Sequence, residues 1–303
     1  MNFNDFKENL EQCIDNSKIK YNEPLKNHTS FKLGGPCLAL ISPTKKEEVV
    51  CAIKLCKDNN IPFFILGNGS NLIVRDGGFN GVIIHLTSLK DIRVDNKKLV
   101  VEAGATLAAA SAIALKNSLK GMEFASGIPG TIGGAVAMNA GAYGGEIKDI
   151  IESATVITDD MKVVTLSSEE LDLSYRSSII TKKGYIVLEA VFTLEDGEAE
   201  DIKARMVDLN GRRKDKQPLN YPSAGSTFKR PPGNFAGKLI EDAGLKGFTV
   251  GGAMVSDKHA GFVINYDNAT ANDVITLIGK VQEIIKDKND ITLETEVKII
   301  GEE

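Results

Sequence analysis

Cysteine, histidine and long apolar runs are all scarce in this chain. Four cysteines and three histidines are spread over 303 residues, and no two cysteines form a CxxC pair. A structural zinc site needs such closely spaced soft ligands, so none is expected, nor any other metal. Cys51 and Cys56 fall in a helical pattern and read as buried thiols, not as half-cystines. The longest apolar stretch, 103–115, is too short and too rich in small residues to cross a bilayer. The opening MNFNDFKENL is polar and acidic where a secretory leader would be basic and then apolar. Positive charge is not in excess either: the net charge is −5, which argues against nucleic acid or anionic lipid as a partner. The expectation is a cytoplasmic globular protein, a monomer or weak oligomer, without membrane insertion.

What is present reads as α+β. Phe3, Phe6, Leu10 and Ile14 recur at helical spacing. A second helix is expected after Thr44 and Glu47, which stand at capping-box spacing, with Val49, Ala52, Ile53 and Cys56 on its inner face. Short apolar runs at 61–66, 82–86 and 98–104 read as strands, followed by a small-residue helix at 105–116. Further strands are expected at 152–158, 162–166 and 184–194. After Asp196-Gly197-Glu198 the texture changes to a charged helix with Ile202, Met206 and Leu209 inward, and a domain boundary is set near residue 200. The tail holds a helix opened by Thr270 and Asp273, with Val274, Leu277, Ile278, Val281 and Ile285 as its apolar stripe. It closes on 291–300, a strand by alternation.

Two glycine-rich loops interrupt this pattern. GNGSNL (67–72) and GIPGTIGGAVAMNAG (127–141) each allow the positive-φ turns that aim successive N–H groups at an anion. Either loop alone is readily a structural turn; two together favour a bound pyrophosphate. Neither fits a nucleotide fingerprint: the first lacks the third glycine of the dinucleotide motif. The run Gly233 to Lys238 is one residue short of a P-loop and lacks its Ser/Thr. ATP and a Rossmann-held NAD are therefore demoted in favour of a large cofactor lying across two small subdomains. The remaining unusual stretch is NYPSAGSTFKRPPG (220–233), where Ser226 reads locally as part of a phosphate loop, a nucleophile, a proton donor or a plain turn.

GNGSNLIV, SGIPGTIGGAVAMNAGAYGGE, SYRSSI, PSAGSTFKRP, GKLIEDAGLKGFTVGGAMVS and LETEVKIIG resemble, in this order, the UDP-N-acetylenolpyruvoylglucosamine reductases. The resemblance runs from about Thr29 to Gly301. It implies a two-subdomain FAD-binding domain of the vanillyl-alcohol oxidase-like type plus a C-terminal α+β substrate domain. The segments expected are 1–95 and 96–200 for the two FAD subdomains and 201–303 for the substrate domain. The implied cofactor is non-covalent FAD with NADPH as co-substrate, and neither flavin loop holds a His or Cys that would tether the flavin. The implied FAD contacts are Gly67, Asn68, Gly69, Ser70, Asn71 and Leu72 in the first loop. In the second they are Ser126, Gly127, Ile128, Pro129, Gly130, Thr131, Gly133, Gly134 and Ala135.

The implied reaction reduces the enolpyruvyl ether of a nucleotide sugar to UDP-N-acetylmuramate, a peptidoglycan precursor. It needs a fixed cation for a carboxylate that gains charge and a proton for carbon C2. The resemblance gives the first role to Arg176, otherwise a surface arginine, since a guanidinium makes planar two-point contact with a carboxylate. It places Glu296 beside that charge, although alternation alone would send Glu296 to solvent. It makes Ser226 the proton donor, a role open to a hydroxyl facing so basic an enolate. The nucleophile reading falls because A-G-S-T-F is no GxSxG elbow. Tyr175, Lys216, Lys229 and His259 are the implied substrate contacts. Arg230 stands where another branch of the family has Asn, so that contact is not carried over. The span from Arg176 to Ser226 is too short for that branch's extra tyrosine loop, so neither Tyr185 nor Tyr221 inherits its role.

Overall fold

The computed structural model describes residues 3–303, with side chains from Asp5 onward; the Phe3 side chain expected on the first helix lies outside them. The chain forms two compact units that do not follow chain order. One takes the chain up to Lys20 with Ala39–Gly67 and Gly81–Arg213; the other takes Tyr21–Leu38, Asn68–Asn80 and Lys214–Glu303.

The first unit is built on two sheets. A four-stranded sheet, most of it in this unit, orders Ile19–Tyr21, Cys37–Ile41, Phe79–His85 and Phe63–Leu66, with the last two strands parallel. Helix Lys46–Asp58 buries Val49, Ala52, Ile53 and Cys56, the face its periodicity marks. Its start departs from the expected Thr44/Glu47 box: the N-cap is Lys45, and Glu48 takes the Thr44 N–H at 2.7 Å. The carboxylate also accepts from Lys18 Nζ at 3.0 Å, and that second partner accounts for the one-residue shift. A five-stranded antiparallel sheet orders Val163–Ser167, Ile151–Ile157, Ile186–Thr193, Lys98–Glu102 and Ile92–Asp95. Alternation sends Leu99, Val101, Ala190 and Phe192 to one buried face. Helix Leu107–Lys116 starts where Thr106 accepts the Ala109 N–H at 3.1 Å. The short helix Ile132–Ala137 packs on strand Ile186–Thr193, which fixes the second glycine-rich loop to the sheet.

One expectation about sulfur is corrected. Cys51 is bonded to Cys13 on helix Phe3–Cys13, because the two helices pack together and bring the Cα atoms to 5.9 Å. Cys37 and Cys56 are buried free thiols.

In the second unit, helix Ala271–Asn289 is the central element. Thr270 and Asp273 form the expected reciprocal cap, and Val274, Leu277, Ile278, Val281 and Ile285 are buried. They join Phe31, Leu33, Ile73, Phe228, Ile240, Leu293 and Val297 in one apolar core. Around them lie the antiparallel strands Thr249–Val250, Ala253–Val255 and Val263–Asn265, and a parallel pair, Leu72–Val74 with Lys298–Ile300. The strand expected over 291–300 is thus a ladder only at its end. Among the described residues no helix is long and apolar enough to cross a membrane.

Candidate active site

The two glycine-rich loops meet inside the first unit. A Cβ on Gly67 would lie 2.3 Å from Thr131 Oγ1, so only glycine lets the loops approach this closely. The second loop is pinned by backbone bonds. Leu107 N–H donates to Gly130 O at 3.1 Å, Ile132 N–H to Ala105 O at 2.9 Å and Gly133 N–H to Ala103 O at 2.8 Å. Helix Ala199–Lys216 is hydrogen-bonded to the start of the loop. Asn210 Nδ2 donates to Ser126 Oγ at 3.2 Å, and a Cβ on Gly127 would sit 3.2 Å from Arg213 Cδ. Burial pulls the Arg213 guanidinium below its ordinary pKa, and no carboxylate among the described residues partners it. A half-buried cation beside a glycine loop, with no such carboxylate partner, fits a phosphate-bearing ligand. FAD fits this cradle on that ground: close-packed glycines, pinned backbone and one unspent positive charge. Leu72 and Ala135 are buried.

Arg176 occupies a tight turn in the same unit. Ser174 N–H donates to Ser177 O at 3.0 Å, and Ser177 N–H returns a bond to Ser174 O at 3.1 Å. Between them Arg176 has φ +54°, a left-handed conformation that costs an arginine roughly 1 kcal/mol or more. Its guanidinium carbon is 5.2 Å from the centre of the exposed Tyr175 ring, within cation–π range. The turn is anchored at both ends: Ser178 Oγ donates to Ala137 O at 2.7 Å, and Asn139 Nδ2 donates to Ser174 O at 3.2 Å. Glu146 lies close by; its carboxyl is held below the usual range by Lys148 first, and also by Asn139 and the Arg176 charge.

The second unit brings Ser226, Glu296 and the rest of the first loop onto one backbone weave. Phe228 bridges Thr295 in antiparallel fashion, with Glu296 N–H donating to Thr227 O at 2.8 Å and Lys229 N–H to Glu294 O at 2.9 Å. Ser226 therefore sits next to the residue that holds the Glu296 backbone. Asn71 Nδ2 donates to Glu296 O at 3.1 Å, and Lys298 N–H donates to Asn71 O at 3.0 Å. Gly69, at φ +60°, leaves no room for a Cβ, which would fall 2.3 Å from His28 O. Ser30, which carries no signal in the sequence, donates from Oγ to Ser223 O at 2.6 Å and from N–H to Gly69 O at 3.2 Å. Thr227 N–H donates to Gly261 O at 2.9 Å, drawing in His259, whose Nδ1 accepts the Gly261 N–H at 3.1 Å. Of the expected substrate lysines, Lys229 pairs with Glu294 at 3.1 Å, while Lys216 is exposed at the last position of its helix. Arg176 belongs to the first unit, Ser226 and Glu296 to the second.

Three further residues were missed by sequence. Arg213 lay inside a visible basic run, but only burial separates it from its neighbours. Asn139 lies inside the second glycine-rich motif, where an asparagine reads as an ordinary loop residue. Asn210 carried no signal.

Comparison with known proteins bears on the family and the cofactor. Residues 37–167 match the FAD binding domain family, and residues 217–300 match the family described as UDP-N-acetylenolpyruvoylglucosamine reductase, C-terminal domain. The UDP-N-acetylenolpyruvoylglucosamine reductase of Clostridium novyi is 55% identical over 299 residues, covering 99% of this chain and 97% of its own. That of Clostridium kluyveri is 54% identical over 301 residues, covering 99% of both. The crystal structure of the Thermus caldophilus enzyme of the same name superposes with a TM-score of 0.79 at 36% identity, over 91% of this chain and 97% of that one. A glucose oxidase, at 14% identity and TM-score 0.51 over 64% of this chain and 44% of its own, shares the fold alone. With this fold, an FAD-binding domain and relatives matching end to end, the chain belongs to the UDP-N-acetylenolpyruvoylglucosamine reductase family of flavin-dependent oxidoreductases.

Proposed function

We propose that this protein reduces the enolpyruvyl ether of UDP-N-acetylglucosamine to the lactyl ether of UDP-N-acetylmuramate, with NADPH as electron source. The observation that carries the reading is the backbone weave of the second unit. It holds the backbone segments that carry Ser226 and Glu296 together and ties the second of them to a flavin loop, which supports the reading. FAD, held by the two glycine-rich loops with Arg213 facing its anionic part, supplies the hydride-carrying centre between NADPH and carbon C3 of the substrate. The protein's own work concerns the charge that then appears on C2 and its carboxylate. Arg176 binds that carboxylate in the planar two-point manner of a guanidinium. Such a donor, aimed at developing charge, is worth about 3 kcal/mol of barrier. Glu296 holds the enolic form in place, and the Ser226 hydroxyl gives its proton to C2. No histidine base is needed, because the carbanion is a far stronger base than the alkoxide left behind.

Ser226→Ala isolates this step. Bleaching of the flavin by NADPH under anaerobic conditions should keep its normal rate, while reoxidation by the enolpyruvyl substrate slows about 100-fold or more. Unchanged turnover would remove Ser226 as the donor. Bleaching with no reoxidation even in the unmodified protein would show that the acceptor is a different molecule.

A further inference from the structure

We propose that Asn139 is a positioning residue for Arg176, coupling the end of the second flavin loop to the catalytic turn. The inference rests on the role given to Arg176 above. Asn139 is only 1% exposed, so its amide hydrogen bonds are made in a dry setting where an unmade one is costly. Three of the four bonds an asparagine side chain offers are engaged. Its Nδ2 donates to Glu146 Oε2 at 2.8 Å and to Ser174 O at 3.2 Å. Its Oδ1 accepts the Lys148 N–H at 2.9 Å. Ser174 O is the acceptor that closes the turn carrying Arg176, and Glu146 is the anion whose charge interacts with Arg176. One side chain thus fixes the backbone of the turn and the carboxylate beside the guanidinium.

The turn needs such support because Arg176 sits in the left-handed region at φ +54°. A residue in that conformation persists only where its surroundings over-determine it. Asn139 stands two residues past helix Ile132–Ala137, itself left-handed at φ +41°. The same helix holds the far side of the turn through Ser178 Oγ and Ala137 O. Asn139 and Ser178 therefore clamp both ends of Ser174–Ser177 to one helix. A helix-terminating asparagine would account for the left-handed backbone alone; it does not call for the bonds donated to Ser174 O on the turn and to Glu146.

Asn139→Gly separates these roles, because glycine keeps the left-handed backbone and removes only the amide. The flavin should still load and still bleach with NADPH at the normal rate. Reoxidation by the enolpyruvyl substrate should slow by about 100-fold, the scale of a displacement near 1 Å at a reacting centre. Calorimetric affinity for the product UDP-N-acetylmuramate, read without turnover, should weaken alongside. In an Arg176→Ala background the same change should add little to either loss, since nothing remains to be positioned. A full multiplicative loss there would overturn the proposal and make Asn139 merely structural. If Arg176→Ala alone leaves both readouts intact, the role of Arg176 fails and the proposal with it. If Asn139→Gly does not fold, Asn139→Asp keeps volume and left-handed tolerance while replacing both donors. It should show the same selective slowing, and normal reoxidation in that variant would refute the inference.

Discussion

His259 illustrates how a single side chain is tuned by its position. Its Nδ1 accepts the Gly261 N–H at 3.1 Å, which leaves the proton on Nε2 and makes the ring a neutral donor. The ring packs edge-on against Phe262 with centroids 4.9 Å apart, and burial lowers its pKa from 6.5. A neutral donor suits an acceptor such as a sugar hydroxyl or a phosphate oxygen, without acid–base work. The sign of the linkage follows. Below about pH 6.5 the unfolded chain binds a proton at His259 that the folded one refuses, so acidification takes stability away. Melting temperature should fall as pH drops through 6.5 toward the lower folded value. His259→Gln should flatten that part of the profile, and a profile unchanged by the substitution would exclude His259 as its source. At this scale Arg176, Ser226 and Glu296 are proposed through motif resemblance. Asn139 and Arg213 stayed invisible, because desolvation and hydrogen-bond closure are properties of the folded chain.

At the scale of elements, the helix Ala271–Asn289 shows what local signals fix and what tertiary partners add. Thr270 and Asp273 cap its start reciprocally, and Asp76 adds a second layer: its carboxylate accepts Ala271 N–H at 2.9 Å and Asn272 N–H at 3.0 Å. A carboxylate at a helix N-terminus satisfies free N–H groups and meets the positive end of the helix dipole. Thr270→Ala should cost about 1 kcal/mol. Asp76→Ala should cost about 1 to 2 kcal/mol, since two charge-assisted bonds are lost. Chemical denaturation followed by circular dichroism reads both, and the ranking reverses if the local box dominates. The Thr270 box was legible because its partners are three residues apart; Asp76, distant in sequence, was not. The same distinction explains the start of helix Lys46–Asp58, where Lys18 draws Glu48 into the role assigned to Glu47. It also explains the segment 291–300. Its alternation was real, with Leu293 and Val297 buried, but the partner strand Leu72–Val74 reaches only Lys298–Ile300. The preceding residues pair instead with 227–229, and that pairing bonds the Glu296 backbone to Thr227, the residue after Ser226.

Across the whole molecule, sulfur is where the fold departs from the sequence pattern: helical spacing reads Cys51 and Cys56 as buried thiols, and of the two only Cys56 is one. Helices Phe3–Cys13 and Lys46–Asp58 lie 38 positions apart at their bonded cysteines, and one covalent bond closes that loop. Such a closure removes freedom from the unfolded chain worth about 4 kcal/mol by loop length alone, before any native-state strain. The other two cysteines are withdrawn from chemistry by burial, which raises the Cys37 thiol to about 11 and the Cys56 thiol to about 12. Since the thiolate is the reactive form, the native protein should present no titratable thiol to a disulfide reagent at pH 8. Denatured without reductant it should present two, Cys37 and Cys56, and after reduction all four. The native melt should shift downward on adding reductant, and Cys13→Ser should reproduce the shift while abolishing its sensitivity to reductant. Four thiols in the denatured, unreduced protein would mean that Cys13 and Cys51 stand together unbonded, with packing alone holding the first helix to the second.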